Sequence, residues 1–204
     1  DKENLCIVTE YCFGGSLFQL LHQQTNINLC WSQKLTMALD VAKGMNYLHA
    51  AYDQPIWHRD LKSLNLLLTQ PIRWETDYVG VKITDFGLSR ENALTNEMMT
   101  ANTGTYHWMA PEILNADTYT HKADVYSYGI VLYEIITRKT PYQGLTGAQI
   151  AARVVNNQER PDLSFMPDDW PIELKELMVK CWDQDQSKRP TFAEITRTLK
   201  AINL

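Results

Sequence analysis

Asp60, Lys62, Asn65 and Asp85 are the residues whose types and spacing could do chemistry. Phosphoryl transfer to a hydroxyl needs a group to orient the hydroxyl and take its proton, ligands for a hard cation on the phosphates, and a positive charge beside the transferring group. In the run His58-Arg59-Asp60-Leu61-Lys62-Ser63-Leu64-Asn65, Asp60 can be the base, Lys62 the cation and Asn65 a metal ligand through its amide oxygen. Further on, Asp85 of Asp85-Phe86-Gly87 offers a carboxylate to the same hard cation. Gly87 gives the backbone freedom to turn there.

The elements that must position these groups can be read from periodicity and punctuation. Leu5 to Glu10 is a short β-branched, apolar run and reads as a strand. Gly14-Gly15 breaks it, and Ser16 is placed to cap a short helix through Leu21 or His22. From Trp31 to about His49, Leu35, Ala38, Leu39, Ala42, Met45 and Leu48 recur at helical spacing, which predicts a helix with one buried face. Short strands are expected near Leu66 to Leu68 and Val79 to Thr84, joined by a long polar loop from Thr69 to Asp77. The second half predicts helices over Ala123 to Thr137, Gly147 to Asn156, Ile172 to Cys181 and Thr191 to Ala201. Pro171 and Pro190 sit where a helix's first turn tolerates proline.

Composition narrows the function classes. The chain has 204 residues, 45% apolar and 21% charged, ordinary for one globular domain. A net charge of −5 argues against nucleic acid or an anionic membrane as the main partner. No apolar run reaches the length of a membrane span, and the N-terminus lacks the features of a signal peptide. Cys6, Cys12, Cys30 and Cys181 lie far apart, with no pair suited to zinc or redox chemistry. Cys6 and Cys30 read as small core residues, and a reducing, cytoplasmic setting is expected.

The ordered series His58-Arg59-Asp60, Asp85-Phe86-Gly87 and Ala110-Pro111-Glu112 resembles the protein-kinase signature set. The resemblance covers the whole chain and implies a mainly α fold: the C-terminal, large lobe of a protein kinase with a few short β-strands. Residues 1–204 would then be a partial kinase domain running from the hinge onward. No glycine-rich loop and no strand lysine of the smaller lobe is found, so the isolated chain is expected not to turn over ATP at a useful rate.

The resemblance also implies roles. Asp60 is the catalytic base, Lys62 contacts the γ-phosphate, and Asn65 and Asp85 hold Mg2+. The backbone of Glu10 and Cys12 meets the adenine of ATP, Ser16 faces the ribose, Leu17 and Leu67 lie beneath the purine, and Thr9 is the gatekeeper. His58 and Phe86 stack in a hydrophobic spine, Asp124 anchors the catalytic loop's backbone, and Arg189 pairs with Glu112. Lys62, together with Thr105 bridging base and lysine, is the serine/threonine pattern. Gly104 to Glu112 and Asp124-Val125-Tyr126-Ser127 carry a tyrosine-kinase flavour. The mixture resembles the tyrosine-kinase-like group, with its mixed-lineage and Raf-like kinases. Glu134 is either a reader of basic residues upstream of the acceptor or a structural acid.

Arg59 is expected to meet a phosphorylated activation segment, with Thr100 or Thr103 as the activating site of an upstream kinase or of autophosphorylation, and Arg90 as a second partner for that phosphate. The partner implied is a protein substrate. Two other classes compete. A pseudokinase-like binding scaffold would not need Asp60, Lys62, Asn65 and Asp85 intact. A small-molecule phosphotransferase would not need the docking loop before Ala110-Pro111-Glu112.

Overall fold

The computed structural model describes residues 8–50, 55–85, 105–202 and the backbone of 90–91. The strand expected over Leu5 to Glu10 falls largely outside the described residues, and residues 8–10 carry no regular structure. The chain then turns at Gly15, with φ +73°, and docks on the strand that follows the run from His58 to Asn65. Gly14 N donates to Leu68 O at 3.0 Å and Leu68 N to Gly15 O at 2.9 Å. A Cβ on Gly14 would lie 2.4 Å from Gln70 O, so this approach admits only glycine.

Ser16 and Gln19 cap the next turn reciprocally: Gln19 N donates to Ser16 Oγ at 3.2 Å and Ser16 N to Gln19 Oε1 at 2.9 Å. The segment after that cap is a wide π-type turn over Gln19–Gln23, where an ordinary short helix is expected from sequence. Its outward carbonyls find an external partner. Arg138, in the left-handed region at φ 55°, gives its guanidinium to the carbonyls of Leu20, Leu21, Gln24 and Ile27.

Helix α1 spans Trp31–Ala50 and buries Met37, Ala38, Val41, Ala42 and Met45. The buried face is thus rotated from the expected one: Leu35, Leu39 and Leu48 are only partly covered. Strand β1 (Ile56–Trp57) was not expected. At two residues it is too short to show a period, and it exists by pairing antiparallel with a distant partner, Arg90–Glu91. Strands β2 (Leu66–Leu68) and β3 (Val81–Ile83) pair antiparallel with Leu67 opposite Lys82, and β4 is Arg90–Glu91.

The connection from Thr69 to Asp77 is ordered from within. The Asp77 carboxylate accepts the amides of Arg73 and Trp74 at 2.7 and 2.9 Å, which holds its carboxyl below the usual range. Buried Gln33 of α1 donates to the carbonyls of Trp74 and Asp77. Cys30 is half-exposed at the edge of this loop, its thiol near Glu75 O, and not a core residue as expected. Cys6 lies outside the described residues.

Helices α2 (Pro111–Leu114), α3 (Lys122–Thr137), α4 (Gly147–Asn156), α5 (Ile172–Cys181) and α6 (Phe192–Ala201) complete the lobe. Helix α3 is buried on nearly every face, as befits the element around which the others assemble; α1 packs on α6 and on α3, and α3 on α5. Capping boxes start α4 (Thr146 with Gln149) and α6 (Thr191 with Glu194). Pro171 is the N-cap of α5, and Pro190 precedes the N-cap of α6, so both stand just outside the first turn. One apolar core runs through the lobe, from Leu17 to Leu199.

Candidate active site

The turn between β1 and β2 carries the run from His58 to Asn65. Arg59 holds a positive φ of 68° and Asp85 one of 65°, a conformation that costs energy in a residue with a Cβ and persists only where neighbours enforce it. At Arg59 the enforcer is Asp124, on the first turn of α3 and 2% exposed. Its Oδ1 accepts Arg59 N at 2.8 Å, and its Oδ2 accepts His58 N at 2.9 Å and lies 2.9 Å from His49 Nε2. Burial opposes ionisation of this carboxyl. The hydrogen bond and charge of His49, the charge of His58 and the Arg59 amide outweigh burial and hold it below its ordinary value.

With the backbone so held, the reactive side chains converge. Lys62 Nζ lies 2.7 Å from Asp60 Oδ2 and donates to Thr105 Oγ1 at 3.3 Å. Asn65 Nδ2 donates to Asp60 O at 2.9 Å and Asp60 Oδ2 at 3.0 Å. That leaves the Asn65 amide oxygen for another ligand. Asp60 Oδ1 is buried and has no hydrogen-bond donor among the described residues. An orphaned carboxylate oxygen beside a lysine can accept a proton from a hydroxyl brought to it.

The structure thus brings Asp60, Lys62, Asn65 and Thr105 together. Asp85 is exposed and follows directly on the short β3 segment, whose extension pairs Thr84 N with Asn65 O at 3.0 Å. The Asp85 carboxylate and the Asn65 amide oxygen are both hard-oxygen donors. Among the described residues no cluster of three or more His, Cys, Asp or Glu could hold a metal alone. Hard oxygens of this kind suit Mg2+, which takes few protein ligands and completes its shell with phosphate and water. Phe86 lies outside the described residues, so its expected stack on His58 does too; His58 itself is fully buried, with Nε2 3.0 Å from Thr84 O.

Of the residues expected to meet ATP, Glu10 is exposed and paired with Lys82 at 3.1 Å, Cys12 is half-buried, and Ser16 forms a β-bridge with Leu67. Leu67 is partly open. Leu17 is not: at 0% exposure it is sealed in the core and can support a purine floor only from behind, a correction to its expected contact. Thr9 is exposed.

Below the site, Arg189 grips Glu112 through two bonds of 2.6 and 2.8 Å with both side chains buried, and also donates to the carbonyls of Asp183 and Lys122. Glu134 resolves in favour of the structural acid. It is 0% exposed, and its oxygens lie 2.7 Å from Ser63 Oγ, 2.7 Å from Trp108 Nε1 and 2.8 Å from His22 Nε2. Both carboxylate oxygens are engaged inside the protein and none of the side chain is exposed. Thr100 and Thr103 lie outside the described residues, as do the side chains of Arg90 and Glu91.

Sequence reasoning missed an aromatic box around Arg59. Its guanidinium sits 5.6 Å from the Trp57 ring and 5.8 Å from the Tyr119 ring, while its Nε and Nη2 are buried without acceptors among the described residues. Tyr119 is far from the motif in sequence, so only Trp57 could have hinted at it.

The family model for protein tyrosine and serine/threonine kinases matches residues 1–199. The chain belongs to the protein kinase family. Serine/threonine-protein kinase STY17 of Arabidopsis thaliana is 45% identical over 199 residues, covering 98% of this chain and 32% of that protein. The RGS domain-containing serine/threonine-protein kinase A of Dictyostelium discoideum is 45% identical over 195 residues, 96% of this chain and 16% of that protein. Mitogen-activated protein kinase kinase kinase 11 of Rattus norvegicus is 40% identical over 207 aligned positions, 99% of this chain and 23% of that protein. The chain therefore spans less than a third of the length of these relatives. No helix among the described residues is long and apolar enough to cross a membrane.

Proposed function

We propose that these residues form the large lobe, from the hinge onward, of a serine/threonine protein kinase that moves the γ-phosphate of ATP to a protein hydroxyl. The observation that carries this is the buried Asp60 Oδ1, without a donor among the described residues, beside Lys62 and Asn65. Asp60 Oδ1 accepts the hydroxyl proton as the hydroxyl oxygen bonds to phosphorus and ADP leaves. Lys62, held between Asp60 and Thr105, places its charge against the transferring group. Asn65 and Asp85 would hold Mg2+, which when bound neutralises phosphate charge. The backbone at Glu10 and Cys12 takes adenine, Ser16 the ribose, and Leu67 supplies the floor.

Phosphate on Thr100 or Thr103 is the natural acceptor for Arg59 Nε and Nη2, which have no acceptor among the described residues and are already oriented by Trp57 and Tyr119. The free thiols of Cys12, Cys30 and Cys181 support a reducing, cytoplasmic workplace. In the full-length natural protein, Asp60→Asn is expected to lower turnover on casein by roughly 10² to 10⁴-fold, the usual contribution of a general base. Turnover within a factor of two of the parent would sink the proposal.

A further inference from the structure

We infer that Glu134 and Ser63 are positioning residues for phosphoryl transfer, tying the catalytic loop to the substrate-docking loop from inside the lobe. The inference rests on the kinase reading above and goes beyond it by assigning work to groups that touch neither ATP nor acceptor.

Ser63 lies between Lys62 and Asn65, is 0% exposed, and donates to Glu134 Oε1 at 2.7 Å. The other carboxylate oxygen accepts Trp108 Nε1 at 2.7 Å. Trp108 belongs to the docking loop, is 3% exposed, and is fixed a second time where its carbonyl accepts Ser127 Oγ at 2.8 Å. Its amide donates to Thr105 O at 3.2 Å, and Thr105 Oγ1 accepts Lys62 Nζ. The two loops are therefore joined at two places. One joint, Lys62 to Thr105, lies in the site itself. The other, Ser63 to Glu134 to Trp108, lies beneath it. His22, from the turn that follows the hinge, completes the set at 2.8 Å from Oε1. A fully buried carboxylate is tolerated only when its lone pairs are filled, so each of these donors is held to a single geometry. That geometry sets where Lys62 and Asn65 stand relative to an acceptor hydroxyl on the docking loop. Displacements of about 1 Å in such a site cost on the order of 10²-fold in rate.

The test uses the full-length natural protein with ATP and casein. Ser63→Ala is expected to lower kcat roughly tenfold or more, with KM for ATP within about twofold, and Ser63→Thr is expected to restore most of the loss. In a double-mutant cycle, Ser63→Ala and Trp108→Phe are expected to lose less together than the product of their separate losses, because both act through one carboxylate. Activity is normalised to the folded fraction, so lost stability alone does not count. Unchanged kcat in folded Ser63→Ala, or losses that simply multiply, would overturn the inference. So would a preference for arginine upstream of the acceptor that disappears in Glu134→Gln. If Asp60→Asn kept its turnover, the kinase reading itself would fall. If Asp60→Asn were inactive while Ser63→Ala was fully active, only this inference would.

Discussion

Two buried carboxylates stand near opposite ends of α3, and both hold the loop that carries Asp60. Asp124, near the N-terminus, grips the backbone just before Asp60; Glu134, near the C-terminus, grips the side chain of Ser63 just after it. Each has a histidine partner, His49 for Asp124 and His22 for Glu134. The difference lies in what they hold. Asp124 accepts backbone amides, which no substitution at His58 or Arg59 other than proline removes, and it sits where the helix dipole favours an anion. Glu134 stands where the dipole disfavours an anion, and its partners are side chains. The first arrangement fixes a conformation whatever the sequence; the second lets the side chains chosen at positions 22, 63 and 108 tune how the two loops meet.

A third buried carboxylate sets the scale. Arg189→Ala leaves Glu112 buried and unpaired, and is expected to cost roughly 3–5 kcal/mol in urea denaturation while kcat of the folded fraction stays within twofold. A large kcat loss there would erase the contrast between structural and loop-holding acids. Asp124→Ala should cost about 3 kcal/mol and abolish turnover, since two amides lose their acceptor and each orphaned buried group costs about 1–3 kcal/mol. Glu134→Ala should cost less, about 2 kcal/mol, because a serine hydroxyl and an imidazole can rotate to other acceptors while an amide cannot. Equal costs would remove the distinction between backbone and side-chain partners.

His121 offers a finer probe of the Asp124 end. Burial, the neighbouring His49 and Lys122 lower its pKa in the folded protein. The unfolded chain then binds more protons below about pH 6.5, so stability falls as pH drops through that value toward the folded pKa. His121→Gln should flatten this slope, as read from denaturation midpoints between about pH 7.5 and 5. An unchanged slope would place the titration elsewhere. Smallest of all, Thr191→Ala should cost about 1 kcal/mol by removing the α6 cap, with no change in kcat.

Long helices were legible because their periodicity and caps are local. Gly147–Asn156 and Ile172–Cys181 lie where the pattern puts them. The π turn at Gln19–Gln23 was not, because the arginine that takes its carbonyls lies more than a hundred positions away in the chain. Strand β1 was invisible for the same reason, its partner being Arg90–Glu91. In α1, periodicity found the helix but not its rotation, since which of Leu39 and Val41 faces inward depends on what packs there.

The sequence by itself determined the family and which groups are candidates to react, because Asp60, Lys62 and Asn65 must lie within one tight turn to act together, and a turn is written in consecutive residues. Only the tertiary structure decided that Leu17 is sealed in the core and that Glu134 is an internal brace. His22 and Glu134 are 112 positions apart, and nothing local relates them. Whether a carboxylate reads a substrate or holds a loop depends on what surrounds it in space, and that is settled when α3 is buried among donors brought from elsewhere in the chain.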